Sequence, residues 1–426
     1  MDSTSSPPTA GSLTKPCKKC RTQEATLDSR GQPVCSDCFT KFITTKCVKQ
    51  IGLLGRETVP KTTPNPAGHG PPVIPTRQYV LGLSLGACST SLLNLLHQNV
   101  EYQLSKNRGT PFDLTVVHIT SSQEDAPPDP LAQHRLRYPR FKFLTVPLSS
   151  ALALPTIDWS SLALTSPPSS LAALFGSLPS SSVASRTDIL SLLTSHLLLH
   201  HTHSSSSQAL LLGHSTTAIA ELTLSQTAKG RGFSLPWQIN DGIFTLVDYS
   251  SSSSSPSSSS PNEPPTKYEI LVYYPLRDVL RKELVTYSAV TASPPLTDLI
   301  LTKQEKRSGN GNGTAKAPAV SAVVNHKDLS IEEVMFRYFA DVEENYPSIV
   351  ANVARTTGKL VRLLGTEADG GRNSSSSSSS RCGLCSMPMD GEGDQRWRGE
   401  LGTATEHDKI GKATRLCYGC ERSTLG

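Results

Sequence analysis

Short apolar runs alternate with helix-like apolar patterns over the central part of the chain. The run at 78–83 has the character of a buried strand, and it leads through a turn of small residues into a helical pattern with leucines at 92, 93, 95 and 96. Further strand-like runs lie at 113–120, 140–146, 209–213, 243–249 and 268–274. Strands that alternate with helices are typical of βαβ units. The pattern therefore predicts an α/β domain built on a parallel sheet.

Helical patterns surround the run at 209–213. The helix predicted before it has apolar residues at 189, 190, 193 and 197, and the patterns at 217–229 and 276–287 predict two helices after it. Farther along, the sequence Ser330-Ile331-Glu332-Glu333 is a capping box that should begin a helix reaching about residue 344. Pro347 is suited to begin another helix, predicted to end at Leu364.

Changes in composition divide the chain into segments. Hydrophobic residues make up 36% and charged residues 18%, against roughly 45–50% and 25% in ordinary globular chains. Part of the chain is therefore not core. We predict a disordered start (1–14), an N-terminal cysteine module (15–50), a linker (51–76), the α/β domain (77–295) with a Ser-rich insertion (250–261), a flexible linker (296–323), a helical segment (324–365), a disordered Ser-rich stretch (366–381) and a C-terminal cysteine module (382–426).

Charge and hydropathy narrow the class of protein. The net charge is +5, a bias that permits a polyanionic partner without requiring one. No apolar run approaches the roughly 18 residues that a membrane span needs, and the first residues lack a basic and apolar signal segment. We expect a cytoplasmic protein with no membrane partner.

Eight of the ten cysteines form four C-x-x-C pairs. In a reducing compartment this pattern indicates metal binding, with structural thiols or disulfides as the alternative. Because four thiolates leave no coordination position open, each quartet of cysteines predicts a structural zinc ion. The predicted zinc ligands are Cys17, Cys20, Cys35 and Cys38 in one quartet, and Cys382, Cys385, Cys417 and Cys420 in the other.

Other candidate groups have simpler explanations. The turn at 84–89 precedes a helix and could hold an anion, but a tight strand-to-helix connection would look the same. His200, His201 and His203 form a cluster beside His196 that could suggest a metal site, but we expect the cluster to be a solvated helix end. Cys47 and Cys88 stand alone and are expected to be buried small residues, although a helix N-terminus can lower the pKa of a thiol such as Cys88.

Three segments carry a family resemblance. The sequence Ser84-Leu85-Gly86-Ala87-Cys88-Ser89 resembles the S-G-G-x-D-S pyrophosphate loop of ATP-pyrophosphatase tRNA-modifying enzymes. The segment that begins Gly213-His214 resembles the G-H-N-x-D-D segment of their thiolase branch, and the segment 275–287 is similar to P-L-x-x-x-x-x-K-E-x-x-x-Y. With a cysteine module at each end, the chain resembles the eukaryotic tRNA 2-thiolation enzymes and their archaeal and bacterial relatives. The resemblance implies a fold of the ATP-pyrophosphatase type, with a degenerate nucleotide loop formed by Ser84, Gly86, Ser89, Gly213 and His214.

The departures from the family pattern concern its acidic positions. Cys88 stands at the Asp position of the loop, and Thr217 and Ala218 stand at the two acidic positions after His214. Thr and Ala cannot coordinate Mg²⁺ with charge, so ATP binding is doubtful. The catalytic relatives also have cysteines inside the core domain, whereas none occurs here between Cys88 and Cys382. The resemblance therefore implies the non-catalytic one of two paralogous subunits, with no catalytic residue and no iron–sulfur cluster on this chain.

The implied function is 2-thiolation of the wobble uridine (mcm5s2U) of tRNA-Lys, tRNA-Glu and tRNA-Gln. The implied partners are the catalytic paralogous thiolase subunit, tRNA and a thiocarboxylated ubiquitin-related modifier, which also connects the chain with protein urmylation. Basic residues crowd both cysteine modules and could contact tRNA phosphates or simply balance thiolate charge. They are Lys15, Lys18, Lys19, Arg21, Lys41, Lys46 and Lys49, and Lys409, Lys412, Arg415 and Arg422.

Two other functions remain open at this point. In one, the chain is itself an ATP-dependent tRNA thiolase with Cys88 as its sulfur carrier. In the other, it is a zinc-ribbon adaptor without a role in RNA chemistry.

Overall fold

A computed structural model describes residues 15–59, 76–121, 129–162, 164, 166–179, 182–250, 266–291, 294–301, 329–362, 381–390 and 415–425. Within them, the strands are β1 (Leu27–Ser29), β2 (Gln32–Val34), β3 (Arg77–Gly82), β4 (Phe112–Thr120), β5 (Lys142–Pro147), β6 (Ala209–Leu212), β7 (Gly242–Val247) and β8 (Lys267–Tyr273). The α-helices are α1 (Ser36–Glu57), α2 (Ala87–Ser105), α3 (Ala132–Arg137), α4 (Leu171–Ser177), α5 (Val183–Ser204), α6 (Thr216–Ala228), α7 (Leu235–Ile239), α8 (Arg281–Val290), α9 (Ile331–Asn345), α10 (Pro347–Thr357) and α11 (Tyr418–Leu425). None of these helices combines the length and apolarity that a membrane crossing requires.

Six strands form one sheet in the order β5-β4-β3-β6-β8-β7. The first five strands in this order (β5, β4, β3, β6 and β8) are parallel to one another, which confirms the predicted α/β class. The edge strand β7 is antiparallel to β8, so the sheet is parallel except at this edge. The reason is visible in the sequence, because the Ser-rich stretch between these strands has no helical pattern, and an antiparallel pair needs no crossover helix.

The central strands are buried on both faces. Tyr79, Val80 and Leu81 of β3 are each at most 1% exposed. Successive side chains of a strand point to opposite faces, and accordingly Tyr79 and Leu81 join one hydrophobic cluster while Val80 joins the other. Helices α1, α2 and α8 contribute to the first cluster, and α5 contributes to the second. The domain therefore has three layers, with helices on both faces of the sheet.

Several helices and segments begin or end at other residues than predicted. Helix α1 continues to Glu57, so residues 51–57 belong to it and not to the linker. Helix α8 begins at Arg281 and not at residue 276, because the Glu283 carboxylate accepts a hydrogen bond from the Leu280 backbone N–H and caps the helix there. Leu296 and Leu299 are buried in a short 3-10 helix beyond the predicted domain end at 295. Helix α10 ends at Thr357, earlier than predicted.

Several predicted segments lie outside the described residues. These are the disordered start (1–14), most of the linker (60–75), nearly all of the Ser-rich insertion (251–261), most of the second linker (302–323), most of the Ser-rich stretch (366–380) and a large part of the C-terminal module (391–414). Their assignments stay predictions.

The first testable prediction concerns acid stability. His134 on α3 is 2% exposed, and burial lowers its pKa to about 4, whereas the unfolded chain titrates at about 6.5. The neutral imidazole therefore contributes stability that is complete above about pH 6.5 and is lost as the pH falls towards 4. When the pH is lowered from about 7.5 to about 5, the free energy of unfolding should therefore decrease less in His134→Leu than in the wild type, as measured by urea unfolding. Equal losses in the two proteins would contradict this account.

Candidate metal centres and nucleotide loop

The N-terminal cysteines meet where a knuckle turn faces the start of α1. Cys17 and Cys20 lie in the turn, Cys35 is the residue before the helix, and Cys38 lies in its first turn. All four Sγ atoms lie within 4.8 Å of one another, and the Cys20 and Cys35 sulfurs are 3.8 Å apart. A tetrahedral Zn²⁺ with Zn–S bonds of about 2.3 Å places its sulfurs about 3.8 Å apart. The spacing and the donor set therefore fit a structural metal ion, and the distance is far too long for a disulfide.

Hydrogen bonds favour the thiolate at one of these ligands. Bonds from Thr22 and from the backbone lower the pKa of Cys20 to about 6. The backbone also holds the knuckle, since the Arg21 N–H donates to the Cys17 carbonyl at 2.9 Å. Deprotonated thiolates are the form that binds metal. The hydrogen bonds at Cys20 therefore favour its metal-binding form.

Polar contacts fix the N-terminal module on the α/β domain. Arg30 donates to both carboxylate oxygens of Glu283, at 2.7 and 2.9 Å. Lys46 donates to the Asp278 carbonyl, and Gln50 donates to the Asp278 carboxylate. Two basic groups of the module thus hold the first turn of α8 and the segment before it.

The C-terminal cysteines form a second quartet that is buried throughout. Cys382, Cys385, Cys417 and Cys420 have Sγ atoms within 4.8 Å of one another, and the Cys385 and Cys417 sulfurs are 3.8 Å apart. The knuckle is tied to the domain through His196 of α5, whose Nε2 lies 2.9 Å from the Leu384 carbonyl oxygen. This quartet also fits a tetrahedral ion.

A chain of alternating charges adjoins Cys420. Arg231 places Nη2 3.4 Å from the Cys420 sulfur and forms a two-pronged ion pair with Asp188, at 2.9 and 2.5 Å. Lys229 donates to the same carboxylate at 2.7 Å and to Glu332 at the start of α9. Burial alone would lower the pKa of Arg231, but the Cys420 and Asp188 charges hold it well above its usual value. Burial would likewise raise the pKa of Asp188, but Arg231 and Lys229 lower it to about 2.

The predicted nucleotide loop follows β3 and leads into α2, with Gly86 preceding the helix. The Ser89 hydroxyl lies 3.1 Å from the Ser84 hydroxyl, accepts from the Ser84 N–H and donates to the Gly86 carbonyl. Leu85 occupies the position of a family glycine with a φ of 59° and is fully buried. The serines of the loop are therefore bonded to the loop itself, and the leucine is part of the core.

Gly213 and His214 follow β6, which is the neighbour of β3, so the structure brings the two predicted segments together. The contact is between backbones, since a Cβ atom on Gly213 would lie 2.8 Å from the Ser89 Cα. The His214 ring lies edge-on to Tyr274, and its Nδ1 is buried without a hydrogen-bond partner. Burial, with a smaller effect of Arg281, lowers the pKa of His214 to about 4. The imidazole is therefore neutral at physiological pH.

Helix α9 contributes a buried carboxylate that lies beside the segment after His214. Glu343, 4% exposed, accepts from the Thr217 hydroxyl at 2.6 Å and from the Lys282 backbone N–H at 3.2 Å. Thr217 in turn accepts from the Arg281 N–H. Thr217, which the resemblance matches to an acidic position of the family, is thus bonded to a carboxylate 126 residues away along the chain. No pattern in the sequence pointed to Glu343 or to the Asp188–Arg231 pair, because each contact joins segments far apart along the chain.

Cys88 lies in the first turn of α2. Burial raises its pKa, and the smaller effects of Arg281 and Ser215 do not reverse the shift. The position at a helix N-terminus therefore does not give Cys88 a lowered pKa, because the loss of hydration outweighs the effects that favour the thiolate. A thiol in this environment is protonated at neutral pH.

The histidines at the end of α5 have separate surroundings. His196 is buried, with one ring nitrogen 3.1 Å from the Thr156 hydroxyl and the other 2.9 Å from the Leu384 carbonyl oxygen. His203 is exposed and stacks on Tyr268 with ring centroids 4.1 Å apart. Over the described part of the chain, only the two cysteine quartets gather three or more metal-binding side chains.

Comparison with known proteins places this arrangement in a family. The family model described as cytoplasmic tRNA 2-thiolation protein 2 matches residues 330–422. A curated protein of that name from Phaeosphaeria nodorum is 34% identical over 96% of this chain and 94% of its own length. The chain belongs to this family. Another member, from Sclerotinia sclerotiorum, is 35% identical over 79% of this chain and 80% of its own.

A solved structure is also similar to this member of the tRNA 2-thiolation protein 2 family. It is the U34-tRNA thiolase NcsA from Methanococcus maripaludis with its [4Fe-4S] cluster, at 15% identity and a TM-score of 0.47, covering 81% of this chain and 86% of that one. The family membership agrees with the predicted resemblance and with the two cysteine quartets near the termini.

The second testable prediction concerns the contact between the two loop segments. Gly213→Ala should destabilise the fold by about 1–3 kcal/mol, because its methyl group would meet the Ser89 backbone, which cannot rotate away. The measurement is the free energy of unfolding in urea. Gly52→Ala is the matched control, since Gly52 lies within α1 with open space around it, and there Ala should be neutral or stabilising by about 1 kcal/mol. Equal effects at the two glycines would show that the contact is not tight.

Proposed function

We propose that this chain is a subunit of the tRNA 2-thiolation machinery of the cytoplasm. The observation that carries the proposal is its 34% identity with a cytoplasmic tRNA 2-thiolation protein 2 over 96% of the chain. Its reaction is the 2-thiolation of the wobble uridine in tRNA-Lys, tRNA-Glu and tRNA-Gln. The chain acts as a heterodimer with the catalytic paralogue, and sulfur comes from a thiocarboxylated ubiquitin-related modifier.

Within this heterodimer, the chain supplies structure and binding surface. The segment formed by Ser84, Gly86, Ser89, Gly213 and His214 is the remnant of a nucleotide loop. Three features support this view: Leu85 is buried, the Ser89 hydroxyl bonds within the loop, and Thr217 bonds to Glu343. A carboxylate already engaged with Thr217 and a backbone N–H has reduced capacity to bind Mg²⁺.

The two cysteine quartets hold structural zinc ions in this proposal. Zinc bound by four thiolates joins distant segments without offering a site to substrate. Residues 17 to 38 would then be joined to one face of the sheet, and the segments 382–387 and 416–420 to the other.

The N-terminal module is the tRNA-binding surface that we favour. Lys18, Lys19, Arg21, Lys41 and Lys49 are exposed on it. Lys46 instead packs over Phe42 and bonds to the domain, and Arg30 is paired with Glu283. Exposed lysines and arginines bind nucleic acid by neutralising phosphates and releasing counterions. At the other end, Arg415 and Arg422 are exposed, and Lys409 and Lys412 lie outside the described residues.

The third testable prediction is two zinc ions per chain. Elemental analysis of protein purified without chelator should give about two zinc ions, and Cys17→Ser or Cys420→Ser should each lower the content to about one, because three thiolates bind far more weakly. Cys88→Ser is the control and should keep both ions. Iron or an empty quartet in the wild-type protein would contradict the assignment of zinc.

The fourth testable prediction separates a subunit from a sulfur carrier. Deleting the native protein should abolish wobble 2-thiouridine, measured by mass spectrometry of tRNA nucleosides. Re-expressed wild type and Cys88→Ser should both restore the modification, because the raised pKa of Cys88 keeps its thiol protonated, whereas Cys17→Ser and Cys420→Ser should not.

Two results would overturn this reading. Full thiolation after deletion would refute a role in the pathway. Loss of thiolation in Cys88→Ser, with zinc content and tRNA binding intact, would make the chain a direct participant in sulfur transfer.

A further inference from the structure

The C-terminal quartet carries a charge that the protein must balance inside its core. Zn²⁺ with four thiolates has a net charge of −2, and all four ligands are buried. A buried charge without a partner is strongly destabilising. The residues that face the quartet from the α/β domain therefore decide how tightly it holds an ion.

Arg231 is the cation that reaches a ligand sulfur. Its Nη2 lies 3.4 Å from the Cys420 Sγ, and its side chain is 1% exposed. The other contacts hold the guanidinium in place: both Nη atoms donate to Asp188, and Nη1 also contacts the Gln226 amide oxygen at 3.2 Å. Ser423, one turn after Cys420, donates to the same Asp188 carboxylate at 2.6 Å.

Two glycines allow the segments to approach this closely. Gly230 has a φ of 76°, and a Cβ atom on it would lie 2.4 Å from the Tyr418 ring. A Cβ atom on Gly419 would lie 2.5 Å from the Arg231 Cγ and 2.6 Å from the Lys229 carbonyl oxygen. Residues 229–231 and 418–420 therefore pack closely against each other. The position of Arg231 beside Cys420 is fixed by this packing as well as by charge.

We propose that Arg231 is a positioning residue for the C-terminal metal centre, where it balances thiolate charge at Cys420 and is itself held by Asp188. This inference rests on the proposed zinc ion. It adds a residue of the α/β domain to a site whose ligands all lie in the C-terminal module. Groups that contact metal ligands in this way typically change metal affinity by about 10- to 100-fold when they are removed.

The test measures zinc retention at each quartet in the full-length protein. Zinc-loaded protein is exposed to a chelator, the cysteines that become free are alkylated over time, and mass spectrometry resolves the peptides. Arg231→Met removes the charge and keeps much of the side chain, whereas Arg231→Lys keeps the charge without the two-pronged pair. Arg415→Met is the matched control, because Arg415 also adjoins the module but is 63% exposed and pairs with Asp158.

We expect alkylation of Cys417 and Cys420 to be about 10- to 100-fold faster in Arg231→Met, with Arg231→Lys between it and the wild type. Arg415→Met should behave as the wild type, and Cys17 and Cys20 should react at unchanged rates in every variant. If Arg231→Met does not accumulate as folded protein, the comparison of Arg231→Lys with the wild type decides, and several-fold faster release is expected.

Contrary results have distinct meanings. Wild-type rates in Arg231→Met, or equal acceleration in the Lys and Met variants with a lowered melting temperature, would overturn the inference and leave the zinc proposal standing. Absence of zinc from the C-terminal quartet of the wild type would overturn both.

Discussion

The burial of the central strands on both faces is the constraint on which the structure depends. Because successive residues of β3 belong to opposite hydrophobic clusters, each face of the sheet needs its own cover. Helices α2 and α8 cover one face and α5 covers the other, but neither cover is complete without a cysteine module. Cys17 and Cys35 belong to the first cluster, and all four C-terminal cysteines belong to the second. The modules are parts of the core, although they lie near the two ends of the chain.

This placement gives the proposed metal ions a role in folding that a flanking domain would not have. A structural ion contributes its binding free energy to the fold, and here that contribution reaches the sheet through buried contacts. On one face, Arg30 holds the first turn of α8 through Glu283, and Gln50 holds the segment before this helix through Asp278. On the other face, the Arg231–Asp188 pair joins the quartet to α5. Loss of one ion should therefore disturb the α/β domain as well as its own module.

The features that could be predicted from the sequence are the local ones. Apolar runs located the strands of the sheet, the C-x-x-C spacing grouped the two quartets, and the Ser330 capping box located the start of α9. The start of α8 follows from a local cap, the Glu283 carboxylate on the Leu280 N–H, and the direction of β7 follows from the lack of a helical pattern between β7 and β8. The surroundings of Cys88 instead depended on contacts between distant segments. The same is true of Glu343 and Arg231, which lie in ordinary polar stretches and acquire their surroundings only when α9 and α11 pack on the domain. A sequence pattern relates a residue only to its near neighbours along the chain, so it does not indicate which buried charges will meet in the fold.

The loop after β3 is part of the core at Leu85, although its backbone is strained there. A leucine at a φ of 59° costs about 1–2 kcal/mol relative to an ordinary conformation, and a glycine at this position would avoid that cost. The leucine is retained in a fully buried position, and its carbonyl accepts a hydrogen bond from the Leu301 N–H at 2.9 Å. Burial of a leucine side chain contributes about 1.5–3 kcal/mol, which outweighs the strain. The second residue of the turn therefore serves packing, and the positive φ of Leu85 is maintained by its burial and by the hydrogen bond to its carbonyl.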